Sequence, residues 1–167
     1  MRASILTVSD RSARGERSDQ TGPALSQVLQ GKGWQLVHAQ VVPDEPAAIE
    51  DILRTWADSG ETDLILTAGG TGLAPRDRTP EATLAVCDRM VPGLGEAMRQ
   101  SGRQKTPHAI LSRAVAGTRG RTLIVNLPGS PTGSTESLDV ILPALDHAVR
   151  LLRDDPNAEA GHTPKPR

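Results

Sequence analysis

Two aspartates fall in loops where carboxylates could do chemistry. Asp44 lies in Val42-Pro43-Asp44-Glu45-Pro46, and Asp77 lies in Arg76-Asp77-Arg78-Thr79-Pro80-Glu81. Magnesium is typically held by one or two carboxylates together with the phosphate oxygens of a substrate. Ahead of Asp77 runs Gly69-Gly70-Thr71-Gly72, a loop whose backbone can come close to a ligand. Gly129-Ser130-Pro131 opens a later helix, and a helix start favours an anion. Ser9 and Asp10 follow the first apolar run. Together these groups describe a site for a phosphorylated small molecule with Mg²⁺.

Each piece also has a purely structural reading. The glycine run could be a tight turn. Asp77 could pair with Arg76 or Arg78, and Asp44 could serve its turn alone. Ser130 reads as an N-cap, which is compatible with anion binding at the same helix end. Arg11, Arg14 and Arg17 read as a solvated loop. Common motifs are absent. There is no G-x-x-x-x-G-K-[ST] phosphate loop, and Gly69 to Gly72 lacks the G-x-G-x-x-G spacing of a dinucleotide site. The serine of Gly129-Ser130-Pro131-Thr132-Gly133 is misplaced for a G-x-S-x-G nucleophile elbow. His38, His108, His147 and His162 are scattered, without metal-ligand spacing.

The elements that must position these residues are legible as an alternation. Ser4 to Ser9 is strand-like, followed by a polar loop from Asp10 to Asp19. Thr21-Gly22-Pro23 opens a helix that ends at Gly31 or Gly33, with Ala24, Leu25, Val28 and Leu29 on one face. Trp34 to Val42 is a second strand. Pro46 begins a helix with Ile49, Ile52, Leu53 and Trp56 at helical spacing, closed by Gly60. Leu64 to Thr67 is a third strand, a short apolar run of the kind a buried parallel strand shows. Thr79 suits an N-cap, Pro80 the first helical position and Glu81 the first turn of a helix to about Asp88. Another helix runs from about Leu94 to Gln104. Ala109 to Ala116 and Arg121 to Asn126 read as a hairpin around Gly117-Thr118-Arg119-Gly120. A last helix spans about Ser134 to Arg153, with Pro143 expected to kink or split it.

The β-α-β-α-β order predicts an α/β fold, a three-layer α/β/α sandwich. Its sheet is mostly parallel with one antiparallel edge hairpin. In such a sheet the loops after the strands share the carboxyl edge, where ligands bind. The chain has 167 residues, so one domain over residues 1–153 is expected, with a polar, proline-containing flexible tail over 154–167. A net charge of -1 and a pI near 6.4 give no reason to expect nucleic acid or an anionic membrane as partner. Trp34 and Trp56 are the only aromatic residues, which disfavours base stacking. Cys87 is the single cysteine, fitting a reducing cytoplasm. The first apolar run is too short for a signal core or a membrane span.

The chain resembles the MogA/MoaB family of molybdenum-cofactor biosynthesis, the molybdopterin adenylyltransferases. The likeness rests on Thr7-Val8-Ser9-Asp10, Val42-Pro43-Asp44-Glu45, Thr67-Ala68-Gly69-Gly70-Thr71-Gly72 and Arg76-Asp77-Arg78-Thr79-Pro80-Glu81-Ala82. It continues in Pro92-Gly93-Leu94-Gly95-Glu96, Leu111-Ser112-Arg113 and Asn126-Leu127-Pro128-Gly129-Ser130-Pro131. These blocks occur in the family's order over residues 4–152.

The resemblance implies a homotrimer that transfers AMP from Mg-ATP to the molybdopterin phosphate and releases pyrophosphate. It implies Asp44 and Asp77 as the catalytic and Mg²⁺-binding pair. Ser9, Asp10, Gly69, Gly70, Thr71, Gly72, Ser130 and Pro131 would line the nucleotide and pterin sites, with Asp19 nearby. A molybdenum insertase would act downstream. Thr132-Gly133 departs from the lysine that relatives often carry after the glycine-serine-proline motif, so that positive phosphate contact is either missing or supplied from elsewhere, for example by Arg11 or Arg76. The rival reading is a non-catalytic molybdopterin-binding protein of the same fold.

Overall fold

Four strands run parallel at the centre of the computed structural model, which describes residues 1–158. They are β1 (Arg2–Val8), β2 (Gln35–Val42), β3 (Leu64–Ala68) and β6 (Thr122–Leu127). Beyond them lie β5 (Ala116–Arg119) and β4 (Arg89–Met90), giving the order β2-β1-β3-β6-β5-β4. β5 is antiparallel to both β6 and β4. The expected α/β/α sandwich is therefore present, with an antiparallel edge one strand wider than the hairpin. β4 escapes a sequence reading because it is two residues long and held by pairing to β5.

Side-chain alternation sorts the two layers. Ile5, Leu64, Leu66, Leu123 and Val125 point to one face, joining Leu25 and Leu29 of α2 (Thr21–Gly31). Met98 of α5 (Pro92–Gly102) and Leu138, Ile141 and Leu145 of α6 (Pro131–Leu152) complete that layer. Leu6, Ile65 and Ile124 point to the other face. There they meet Ile49, Leu53 and Trp56 of α3 (Pro46–Asp58) and Ala82 and Val86 of α4 (Thr79–Val86). All five residues of β3 are buried, as a central parallel strand covered on both faces requires. Each fully buried leucine or isoleucine contributes about 1.5–3 kcal/mol of transfer free energy. No helix among the described residues is long and apolar enough to cross a membrane.

Several expectations are corrected. The first part of the polar loop forms a one-turn helix, α1 (Asp10–Ala13), because Ser9 caps it. Pro107–Leu111 is a 3-10 helix rather than strand; Thr106 caps it by accepting from the His108 N–H. Its apolar run was too short for period to distinguish the two states. The hairpin turn is confined to Gly120-Arg121, and Gly117 to Arg119 belong to β5. α6 begins at Pro131 and is unbroken through Pro143. Pro143 lies on the exposed side, where the carbonyl it leaves unpaired can be hydrated. Past α6, Asp155 accepts from Arg150 Nε at 2.9 Å, so the expected flexible tail starts as a pinned turn through Ala158. Residues 159–167 of that expected tail lie outside the described residues.

Candidate active site

The parallel register brings the strand ends level. Val8 pairs with Val42, Thr7 with Ala68, and Ala68 with Leu127, so four loops open on one edge. β1 sits between β2 on one side and β3 on the other, which makes its carboxyl end a topological switch point.

Asp10 and Asp44 are locked together there. The Asp10 N–H donates to Asp44 Oδ2 at 2.8 Å, and the Asp44 N–H donates to Asp10 Oδ1 at 3.0 Å. Arg76 reaches across from the glycine loop. Its Nε and Nη2 donate to the two Asp10 carboxylate oxygens at 2.6 and 3.0 Å, and Nη2 also donates to Glu45 at 2.7 Å. Bidentate pairing of this kind favours the ionised acid, and it holds the Asp10 carboxyl below the usual range. Asp44 moves the other way. Burial pushes its pKa up, and the negative charges of Asp10 and Asp77 add to the rise. A carboxylate that is costly to ionise gains more than most from an arriving cation.

The glycine loop is shaped by close approaches. Gly69 has φ +111, and a Cβ there would stand 2.2 Å from the Val8 carbonyl oxygen. Its N–H donates to Leu127 O at 3.1 Å and continues the β3–β6 ladder, so that amide is committed to the sheet. The N–H groups of Gly70, Thr71 and Gly72 meet no acceptor among the described residues. A Cβ on Gly70 would fall 2.3 Å from Thr79 Oγ1 and 3.2 Å from Asp44 Oδ1. One on Gly72 would fall 2.7 Å from Asp77 Oδ2, the oxygen that accepts the Ala74 N–H at 2.9 Å. Asp44 and Asp77 thus overlie successive parts of the same loop.

Thr79 is not the N-cap of α4. Arg78 takes that place without a side-chain bond, and Thr79 and Pro80 are the first two helical residues. Thr79 is fully buried, and its hydroxyl has no hydrogen-bond partner among the described residues.

Arg113 holds the loop from behind, and sequence reasoning gave it no role. Its Nε donates to Gly72 O at 2.7 Å, one Nη to the Asp77 carbonyl, and the other to the Glu81 carboxylate. The Arg113 N–H also donates to Thr71 O at 2.9 Å. Its partners are mostly main-chain carbonyls more than 30 residues away, which leave no local pattern.

The remaining candidates are distributed around this centre. The Ser9 hydroxyl caps α1 by accepting the Ser12 N–H at 3.3 Å. Asp19 accepts from Thr7 Oγ1 at 2.8 Å and from the Thr21 and Gly22 amides at 2.9 and 3.1 Å, so it anchors the start of α2 from one residue ahead of the N-cap Gln20. Ser130 is the N-cap of α6 as expected, accepting from Gly133, and Pro131 is the first helical residue. Ser130 lies across the glycine loop from the aspartates. A cleft of about 480 Å³ opens there between α5, the 3-10 helix and α6, with Thr71, Gly72, Ser112 and Ser130 on its wall. None of the aspartates lines it. The loop Gly69–Asp77 is therefore a partition, with the acids on one side and on the other a largely apolar cleft that Thr71 and Gly72 help to line.

The family described as probable molybdopterin binding domain matches residues 4–147. The molybdopterin adenylyltransferase of Helicobacter pylori strain J99 is 43% identical over 150 residues, covering 89% of this chain and 85% of that protein. The molybdopterin adenylyltransferase of Escherichia coli K12 is 42% identical over 152 residues, covering 89% and 77%. The crystal structure of the molybdopterin biosynthesis enzyme MoaB from Thermus thermophilus superposes with a TM-score of 0.87 at 58% identity, over 92% of this chain and 97% of that one.

Proposed function

The chain belongs to the molybdopterin-binding family of molybdenum-cofactor biosynthesis, and on that premise we propose that it is a molybdopterin adenylyltransferase. A phosphate oxygen of molybdopterin attacks the α-phosphorus of ATP, the bond to the β-phosphate oxygen breaks, and pyrophosphate leaves. The nucleophile is already anionic, so no strong general base is needed. Catalysis reduces to positioning and to neutralising charge at the phosphate.

The observation that carries this reading is the partition. ATP is assigned to the acid side, and the Gly70, Thr71 and Gly72 amides, which meet no acceptor among the described residues, would take phosphate oxygens. The pterin is assigned to the cleft, whose volume suits a small molecule of this size. The reacting phosphates meet at Thr71 and Gly72, which border both.

The residues present fit Mg²⁺. Asp10, Asp44, Glu45 and Asp77 outnumber Arg76, so a bare triphosphate would be repelled. No group of three acidic, histidine or cysteine side chains among the described residues could hold a metal alone. That fits an ion arriving with substrate phosphate. Asp44 and Asp77 would hold it, and the buried, unpartnered Thr79 hydroxyl is close to the same point of the loop. When bound, the ion would supply charge neutralisation at the phosphates. Asp10 and Arg76 hold Asp44 in place, and Arg113 holds the loop.

Pyrophosphate release with Mg-ATP and molybdopterin tests this. Asp44→Asn and Asp77→Asn should each lower the rate by about 10²–10³ or more, as loss of a preorganised electrostatic contact does. Normal release by Asp77→Asn defeats the assignment. On the same premise the protein works in the cytoplasm as a homotrimer and hands its product to a molybdenum insertase. Light scattering reads the trimer.

A further inference from the structure

The cleft contains one cation whose present partner could be exchanged. Four of its lining residues can carry charge: Arg99, Lys105, His108 and Glu136. Arg99 is committed to the Ala114 carbonyl at 2.9 Å and, more weakly, to Ser112. His108 lies 3.4 Å from Thr106 Oγ1 within the 3-10 segment. Lys105 is different. It stands just past α5 on one wall, and its Nζ lies 2.5 Å from Glu136 Oε1, in the second turn of α6 on the opposite wall. Both side chains are about half exposed, at 54% and 41%. A pair this exposed contributes little to stability, so the fold does not need it. It spans the cleft, and the first turn of α6 beneath it, Pro131-Thr132-Gly133-Ser134, carries no charged side chain.

We propose that Lys105 is the residue that grips the phosphate of the substrate in this cleft. Glu136 is its resting counter-ion, exchanged when the anion enters. The inference rests on the cleft being the pterin site. An incoming phosphate carries up to two negative charges and three acceptor oxygens, against one charge and two oxygens for Glu136. The exchange is therefore favourable for a phosphorylated ligand. A ligand without the phosphate must leave the pair closed or break it without replacement. The pair thus selects phosphorylated over dephosphorylated ligand.

The test is equilibrium binding of molybdopterin and of its dephosphorylated form to the full chain, with steady-state kinetics alongside. Lys105→Met should weaken molybdopterin binding by about tenfold, the scale of one partly exposed charge-assisted contact. KM for ATP should stay unchanged, and the loss should appear chiefly in KM for molybdopterin. Lys105→Arg should restore most of the binding. Glu136→Gln should tighten it about threefold by removing the competing acid. Neither variant should alter binding of the dephosphorylated form by as much. Wild-type affinity in Lys105→Met overturns the proposal. So does equal weakening by Lys105→Met and Glu136→Gln, the result expected of a mere structural brace. Failure of the wild type to bind molybdopterin overturns the reading of the cleft itself, and the role of Lys105 with it.

Discussion

Replacing Gly69 by alanine tests whether the partition loop is shaped by contact with the strand beside it. At φ +111 an L-residue carries a conformational penalty of about 1–2 kcal/mol. Gly15, with φ +72 near the left-handed well and nothing within 4 Å of its Cβ position, gives the cost of a positive φ without a contact. The excess at Gly69 comes from its more extreme φ and, chiefly, from the Val8 carbonyl oxygen. It would lie 2.2 Å from the new methyl, inside the 3.0 Å that real Cβ atoms essentially never breach. That oxygen is main chain at the end of β1, so no side chain can turn aside. Val8 is paired to Val42, and the next residue donates to the Val42 carbonyl at 2.9 Å. Relief must therefore shift β1 or the loop, at a further cost of about 1–3 kcal/mol. The expected loss is about 2–5 kcal/mol for Gly69→Ala and about 1–2 for Gly15→Ala. With roughly 2–4 °C per kcal/mol at this chain length, the melting temperatures should fall by about 10 °C and about 3 °C. Scanning calorimetry and urea unfolding at one fixed protein concentration read the difference. Equal losses in the two variants would refute the contact as the cause. They would leave backbone conformation as the whole effect.

Other perturbations have defined outcomes. Arg113→Lys keeps the charge but cannot reach Gly72 O, the Asp77 carbonyl and Glu81 together. It should lower kcat/KM by about 10- to 100-fold, since each lost bond to a charged group counts for about 1.5–3 kcal/mol. An unchanged pyrophosphate assay would remove Arg113 from the positioning machinery. At the far edge of the sheet, burial alone would raise the pKa of Asp63. The side chain and N–H of Arg2 and the charge of Arg153 outweigh it and hold the pKa below the ordinary 3.8. A depressed carboxylate contributes stability above its unfolded value and loses it as pH falls through the folded one. The stability gap between wild type and Asp63→Asn should therefore be full near neutrality and shrink below about pH 4. A gap that is flat through that window in denaturant titrations would show that the ionised acid is not what matters.

The layers of this protein could be read from its pattern because α3 and α6 repeat the helical period over several turns, while β1 and β3 are short apolar runs bounded by loop residues. The shared carboxyl edge followed from parallel order, and with it the meeting of Asp44 with the glycine loop. What escaped reading depends on distance in space. The bond between Asp10 and Asp44 is reciprocal across 34 residues, and Arg113 acts on carbonyls. Asp19 looks like a lining acid in sequence, yet its oxygens are used by Thr7 and by the start of α2. The role of Thr79 changed by one helical position, enough to turn a cap into a buried, unpartnered hydroxyl.

Gly129 adds a consequence at the junction of the two halves. A Cβ on it would meet Gly69 Cα at 3.2 Å, so the two glycine loops touch main chain to main chain. No rotamer lies between them to absorb a displacement. A displacement of the Gly69 loop toward α6 would press directly on main chain beside the cleft. Any such linkage is reciprocal: the factor by which nucleotide alters affinity for pterin equals the factor by which pterin alters affinity for nucleotide. With no side chain at this crossing, the start of α6 and the Gly69 loop are packed main chain to main chain.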